Sequence, residues 1–320
     1  MAARKRYRRR KRRRDPALIA ALVFVELVIL MTLFLIIGWN QGISEWLKNL
    51  NRPVVKELDI SGINSSRAIL INAGNGKVLG ETGADEITYP ASLTKMMTAI
   101  VAIEKIGSRN LDTEITMTNE MYAGLYEHDL TQAGFQSGEV VKAIDLLYGV
   151  MLPSGAECCQ ALACHVSGSE EAFVELMNKK AKKIGMENTH FCNTTGVHAD
   201  DHYSTPRDMA ILLKYCLRNK QFKQIISSSY HATAGTNVHP DGITVYSSMF
   251  KNISDPTVPN GQIKGGKTGF TNAAGFCLAS YAEIGGRNYI LVTMGAQASP
   301  QHVQDAVTIY NRLGQKSLEL

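Results

Sequence analysis

The chain has 320 residues, 45% hydrophobic and 20% charged, ordinary for a globular protein and enough for one large domain or two small ones. Its net charge of +5 misleads, because Arg4–Arg14 alone holds ten basic residues and the rest of the chain is net acidic. That pattern describes a basic tail rather than a basic domain, and it gives no support to nucleic-acid binding by the body.

In chain order, the basic block at 1–16 is followed by Ala17–Trp39, which is apolar apart from Glu26 and Thr32. About twenty such residues span a bilayer. Basic residues directly before the span keep that end cytoplasmic. The expectation is a transmembrane anchor at 17–39 contacting the lipid bilayer, a linker at 40–56 and an exported domain at 57–320. A cleaved signal peptide is the rival, but the run is long for one and no small-x-small site follows it.

Ser66–Asn72 reads as a strand, Gly74-Asn75-Gly76 as its turn and Lys77–Glu81 as the return. Pro90 then opens a helix whose apolar residues Leu93, Met96, Met97, Ile100 and Val101 follow helical spacing. Thr113–Met117 is strand-like, and Asn119–Gly138 reads as loop with short turns. Helices are expected at Ala143–Leu152, Glu157–His165, Glu170–Ile184 and Thr205–Arg218, the last with Thr205-Pro206 as N-cap and first residue. Strands are expected at Gln262–Thr271, Gly275–Glu283 and Asn288–Gly295, and a last helix at His302–Leu313. This order predicts an α+β fold: one antiparallel sheet of five strands drawn from both ends of the chain, with a helical lobe inserted between.

Six cysteines (Cys158, Cys159, Cys164, Cys192, Cys216 and Cys277) form no framework of spacings and no CxxC. They read as small buried hydrophobes, with room for one bridge.

Chemistry concentrates at two places. Ser92-Leu93-Thr94-Lys95 sets a hydroxyl and an amine one turn apart at a helix start. A deprotonated lysine there can take the serine proton, and the helix dipole favours developing negative charge. A second copy, Ser248-Met249-Phe250-Lys251, lacks a following helical stripe and reads as chance. Downstream, Lys267-Thr268-Gly269 lies in a glycine-rich strand, where small residues admit a ligand backbone and a lysine and threonine can hold a carboxylate.

With these motifs the chain resembles the D-alanyl-D-alanine carboxypeptidases, the low-molecular-mass penicillin-binding proteins, whose wider class carries S-x-x-K, a middle serine motif and K-T-G. Flanking residues agree: Pro90-Ala91, Met96-Met97-Thr98, Phe270-Thr271, Ala274-Gly275, Thr195-Gly196 and Asp208-Met209-Ala210. The middle motif departs, because Ser154-Gly155-Ala156 has alanine where the family usually has asparagine; Glu157 or a loop backbone could compensate.

The resemblance implies the serine DD-peptidase/β-lactamase-like fold and a bacterial enzyme removing the terminal D-alanine from peptidoglycan stem peptides. It makes Ser92 the nucleophile, Lys95 the base and Ser154 the proton bridge. Lys267, Thr268 and Gly269 bind substrate, and the backbone of Phe270 helps form the oxyanion hole. β-Lactams would acylate Ser92, and neither cofactor nor metal is implied. Family members often carry a C-terminal β domain and an amphipathic tail; the expectation here is that both are absent and that the N-terminal span serves as anchor instead.

The main alternative is a membrane-anchored, non-catalytic penicillin-binding sensor or scaffold, favoured by the missing asparagine. A transpeptidase would share every motif. A class A β-lactamase would need an E-x-x-L-N loop, whereas Glu175-Leu176-Met177-Asn178 sits in a helical stripe. A metallopeptidase would need a third ligand beside His198 and His202.

Overall fold

A computed structural model describes residues 31, 55–125, 127 and 129–319. The chain divides into Met1–Pro53 and Val54–Leu320. The expected anchor, tail and linker therefore fall almost wholly outside the described residues. Among those described, no helix is long and apolar enough to cross a membrane.

The second unit is built on one antiparallel sheet. Strands β1 (Arg67–Asn72) and β2 (Val78–Thr82) form the first hairpin. Helix α1 (Lys95–Ile106) follows, then the short pair β3 (Glu114–Thr116) and β4 (Val140–Lys142). Helices α2 (Ala143–Met151), α3 (Ala156–Ser167), α4 (Glu170–Ile184), α5 (Pro206–Cys216) and α6 (Lys220–Ile226) make up the inserted lobe. A small hairpin, β5 (Tyr230–Ala232) and β6 (Thr244–Tyr246), precedes β7 (Thr257–Val258), β8 (Gly261–Thr271), β9 (Gly275–Ile284) and β10 (Arg287–Ala296). Helix α7 (Gln301–Leu318) ends the described fold.

The sheet order is β2-β1-β10-β9-β8-β7, which corrects the expected five strands to six. The added strand is two residues long, too short to show alternation, and pairs with β8 through Thr257↔Gln262 and Val258↔Gly261. The turn between them needs Asn260 at φ 58°, a left-handed value that asparagine tolerates. Sequence periodicity also missed β4, the β5–β6 hairpin and α6, all of seven residues or fewer.

Both faces of the sheet are covered, and the period of two divides them. Ile69 and Ile71 face a core shared with α1, α5 and the lobe. Ala68 and Leu70 face the other way, against Val303, Ile309, Tyr310 and Leu313 of α7. Helix α1 is the buried axis of the lobe: every residue from Lys95 to Ile103 is buried, not only the predicted stripe. A helix sealed on all sides can hold a buried amine that a surface helix would leave in water.

All six cysteines are free; Cys158, Cys159, Cys216 and Cys277 are buried, Cys164 is half-buried and Cys192 exposed.

Candidate active site

Ser92 does not lie in the first α-turn. Ala91–Thr94 form a 3-10 turn ahead of α1, with the Leu93 N–H donating to Pro90 O at 3.1 Å. Ala91 takes φ 47°, held there by Gly196, where a Cβ would lie 1.9 Å from Ala91 O. Only glycine fits at 196, the physical content of the Thr195-Gly196 pair noted in the sequence.

Lys95 Nζ lies 3.0 Å from Ser92 Oγ and donates to Thr195 O at 2.8 Å. The lysine is 3% exposed, and burial lowers its pKa below the ordinary lysine value, opposed by the nearby Glu157 carboxylate. An amine this close to the hydroxyl, with its proton loosened by burial, is placed where a base would have to be.

Strand β8 brings the second motif alongside. A Cβ on Gly269 would lie 2.9 Å from Ser92 N and 3.2 Å from Leu93 N, so this glycine faces the nucleophile's turn rather than making room for ligand backbone alone. Lys267 is fully buried, and its Nζ donates to Thr268 O at 2.8 Å. Burial, then the nearby charge of Lys95, drives its pKa well down. Thr268 Oγ1 sits 2.5 Å from Ser248 Oγ. The side chain of Phe270 is half exposed and stacks on Phe276 at 4.3 Å.

Ser154 follows α2 in a left-handed conformation, φ 77°. Such strain in a non-glycine residue persists only where surrounding structure enforces it. Here Gly155 N–H donates to Gly149 O and Ala156 N–H to Thr131 O, both at 2.8 Å. Ser92, Lys95, Ser154, Thr268, Gly269 and Phe270 line one cleft of about 790 Å³. Every predicted site residue except Lys267 lines it, and Lys267 lies directly behind its wall.

Ala156 is fully buried as the first residue of α3 and sends no polar group into the cleft. Glu157 does not replace one. Its Oε1 accepts from the Ala133 and Gly134 N–H groups at 2.6 and 2.9 Å, tying down the segment that begins at Thr131 on the cleft wall. Its Oε2 is sealed without a partner, and burial pushes its pKa up.

Sequence reasoning missed Ser248 and His302 as cleft residues. The Ser-x-x-Lys reading of Ser248 is indeed accidental, because Lys251 lies over the Tyr246 ring at 5.5 Å. The signal that finds Ser248 is its spatial pairing with Thr268, which sequence spacing does not carry. His198 and His202 part company: His198 lines the cleft edge-on to Tyr89, whereas His202 is buried. His202 Nδ1 accepts from Cys192 N–H at 3.0 Å, and its Nε2 lies 2.8 Å from Thr94 Oγ1, so both ring nitrogens are engaged.

Residues 54–298 match the family described as D-alanyl-D-alanine carboxypeptidase. The chain is 33% identical over 245 residues to the D-alanyl-D-alanine carboxypeptidase DacF of Bacillus subtilis, covering 75% of this chain and 59% of that protein. It is 31% identical over 247 residues to the D-alanyl-D-alanine carboxypeptidase of Streptomyces sp. strain K15, covering 75% of this chain and 84% of that one. The solved Streptomyces K15 DD-transpeptidase superposes with a TM-score of 0.72 at 26% identity, over 82% of this chain and 100% of that structure. The match thus spans less than two thirds of the length of DacF.

Proposed function

The chain belongs to the D-alanyl-D-alanine carboxypeptidase family, and on that premise we propose that it is a serine-type carboxypeptidase removing the terminal D-alanine from peptidoglycan stem peptides. The observation that carries the reading is the buried Lys95 amine 3.0 Å from Ser92 Oγ, with a second buried amine, Lys267, in the wall behind.

In the acylation step Ser92 Oγ attacks the carbonyl between the two D-alanines while neutral Lys95 takes its proton. The backbone N–H groups of Ser92 and Phe270 stabilise the oxyanion, and the closeness of Gly269 to the Ser92 turn supports their pairing. Ser154 relays the proton from Lys95 to the leaving amine, and D-alanine departs. Water then attacks the ester, with Lys95 as base, freeing the shortened peptide and Ser92. Thr268 holds the substrate's carboxylate through its hydroxyl, and Lys267, donating to Thr268 O, fixes that residue from behind. A β-lactam, whose strained amide mimics the scissile bond, acylates Ser92 in the same way.

Transfer of the acyl group to an amine instead of water is a second fate, favoured by the likeness to the Streptomyces K15 DD-transpeptidase. The apolar length of residues 17–39 and the basic block before it support a single-pass anchor in a bacterial cell membrane, with the tail cytoplasmic and residues 57–320 extracytoplasmic.

The test is release of D-alanine from a peptide ending in D-Ala-D-Ala, with and without a competing amine. The wild-type chain should turn over steadily and be blocked by penicillin, and Ser92→Ala should be inert. A wild-type protein that binds penicillin yet releases no D-alanine would make it a sensor instead.

A further inference from the structure

On the carboxypeptidase reading the peptide's carboxylate goes to Thr268 on β8, and the other charges lining the cleft decide what the rest of the peptide can bring. Among the described residues, Lys95 is the one lysine or arginine lining it, and its amine is committed to Ser92 Oγ and Thr195 O. Asp129 is the one aspartate or glutamate. It is exposed, and no described residue bonds or ion-pairs with its carboxylate.

The chain that follows Asp129 is held in place. Leu130 N–H donates to Leu125 O at 2.9 Å, and Thr131 O accepts from Ala156 N–H at 2.8 Å. Glu157 Oε1 takes the Ala133 and Gly134 N–H groups beyond. The acid therefore belongs to the wall that carries Ser154, whereas Thr268 belongs to β8. A carboxylate on that wall repels the substrate's own carboxylate, which favours a peptide lying with its C-terminus towards Thr268 and its preceding residues towards Asp129. An unpaired carboxylate facing a ligand is complementary to a cation. The two D-alanines carry only methyl groups, so the first side chain able to bring a positive charge belongs to the residue before them.

We propose that Asp129 is a specificity-determining residue that selects peptides bearing a side-chain ammonium on the residue preceding D-Ala-D-Ala. A basic or diamino acid at that position gains an ion pair, a neutral one gains nothing, and an acidic one is repelled. This rests on the carboxypeptidase reading and adds to it the class of stem peptide preferred. The pair is exposed, so the preference is about fivefold at low ionic strength and is screened by salt.

The test compares kcat/KM for D-alanine release from Nα-acetyl-Lys-D-Ala-D-Ala and from its Nε-acetyl derivative, which lacks the charge. The full chain in detergent is used. The wild type should prefer the free amine about fivefold at low salt, and the preference should shrink towards unity in about 0.5 M sodium chloride. Asp129 has φ 47°, a left-handed value that asparagine also tolerates, so Asp129→Asn removes the charge with little strain. That variant should lose the preference at low salt, and Asp129→Lys should invert it. A penicillin adduct on Ser92 at saturating concentration shows that each variant is folded. A preference retained in folded Asp129→Asn, or absent from the wild type at low salt, overturns the proposal while leaving the carboxypeptidase intact. No release of D-alanine from either peptide by the wild type overturns the reading on which the proposal rests. Should neither variant fold, the wild-type salt series decides, and a preference indifferent to salt overturns the proposal.

Discussion

Two lysine amines buried around one cleft cannot both keep their protons at the ordinary cost, and the proposed mechanism uses the one nearer the serine as its base. The acylation rate should therefore rise with pH along a limb set by Lys95, with its midpoint below about 10.4, the free-lysine value. Negative charge at Glu157 opposes that shift, so Glu157→Gln, which keeps an acceptor for Ala133 and Gly134, should move the limb to lower pH in a pH–rate profile. Glu157→Ala leaves both N–H groups without their acceptor. It should cost on the order of 2 kcal/mol in denaturant unfolding and lower activity as well. Ser92, Lys95 and Lys267 were legible because their motifs are contiguous in the chain. Ser248, His302 and the inward turn of Glu157 were not, because each acquires its role from a segment far away in sequence.

Strand β8 carries the site by closeness to another element. Its glycine at 269 abuts the Ser92 turn, so Gly269→Ala must push the strand and the turn apart by several tenths of an ångström. Penicillin acylation should fall by about 100-fold or more while the melting temperature moves little; an unchanged acylation rate would show that the contact is dispensable. The long elements were legible to within a few residues at most boundaries, since β8, β9, β10 and α4 carry clear periodicity or capping. The two-residue β7 and three-residue β4, β5 and β6 have no period to read, and their pairing is set by the tertiary fold.

Across the whole molecule, two cores seal the sheet, and histidines at their margins make stability depend on pH. Burial lowers the pKa of His202 to about 4, from 6.5 in the unfolded chain. The unfolded state therefore binds more protons between these values, and stability present above pH 6.5 is lost as pH falls towards 4. For His202 alone the loss amounts to roughly 3 kcal/mol. His302, lowered by burial to about 4 against the pull of Asp305, adds to the loss in the same window. Denaturant midpoints from pH 7 to pH 4 should fall, and less steeply in His202→Asn; equal slopes would refute this origin. The α+β plan of a two-ended sheet with an inserted lobe was legible in the order of elements, whereas burial of α1 on all sides was not, because its sequence shows one stripe.

The central claim is that Ser92, activated by buried Lys95, forms the acyl-enzyme. The most direct measurement is the intact mass of the chain after incubation with a penicillin, beside Ser92→Ala. The account predicts one covalent adduct per chain, absent from Ser92→Ala. An unmodified wild type that is folded and releases no D-alanine, or an adduct that persists in Ser92→Ala, would contradict it.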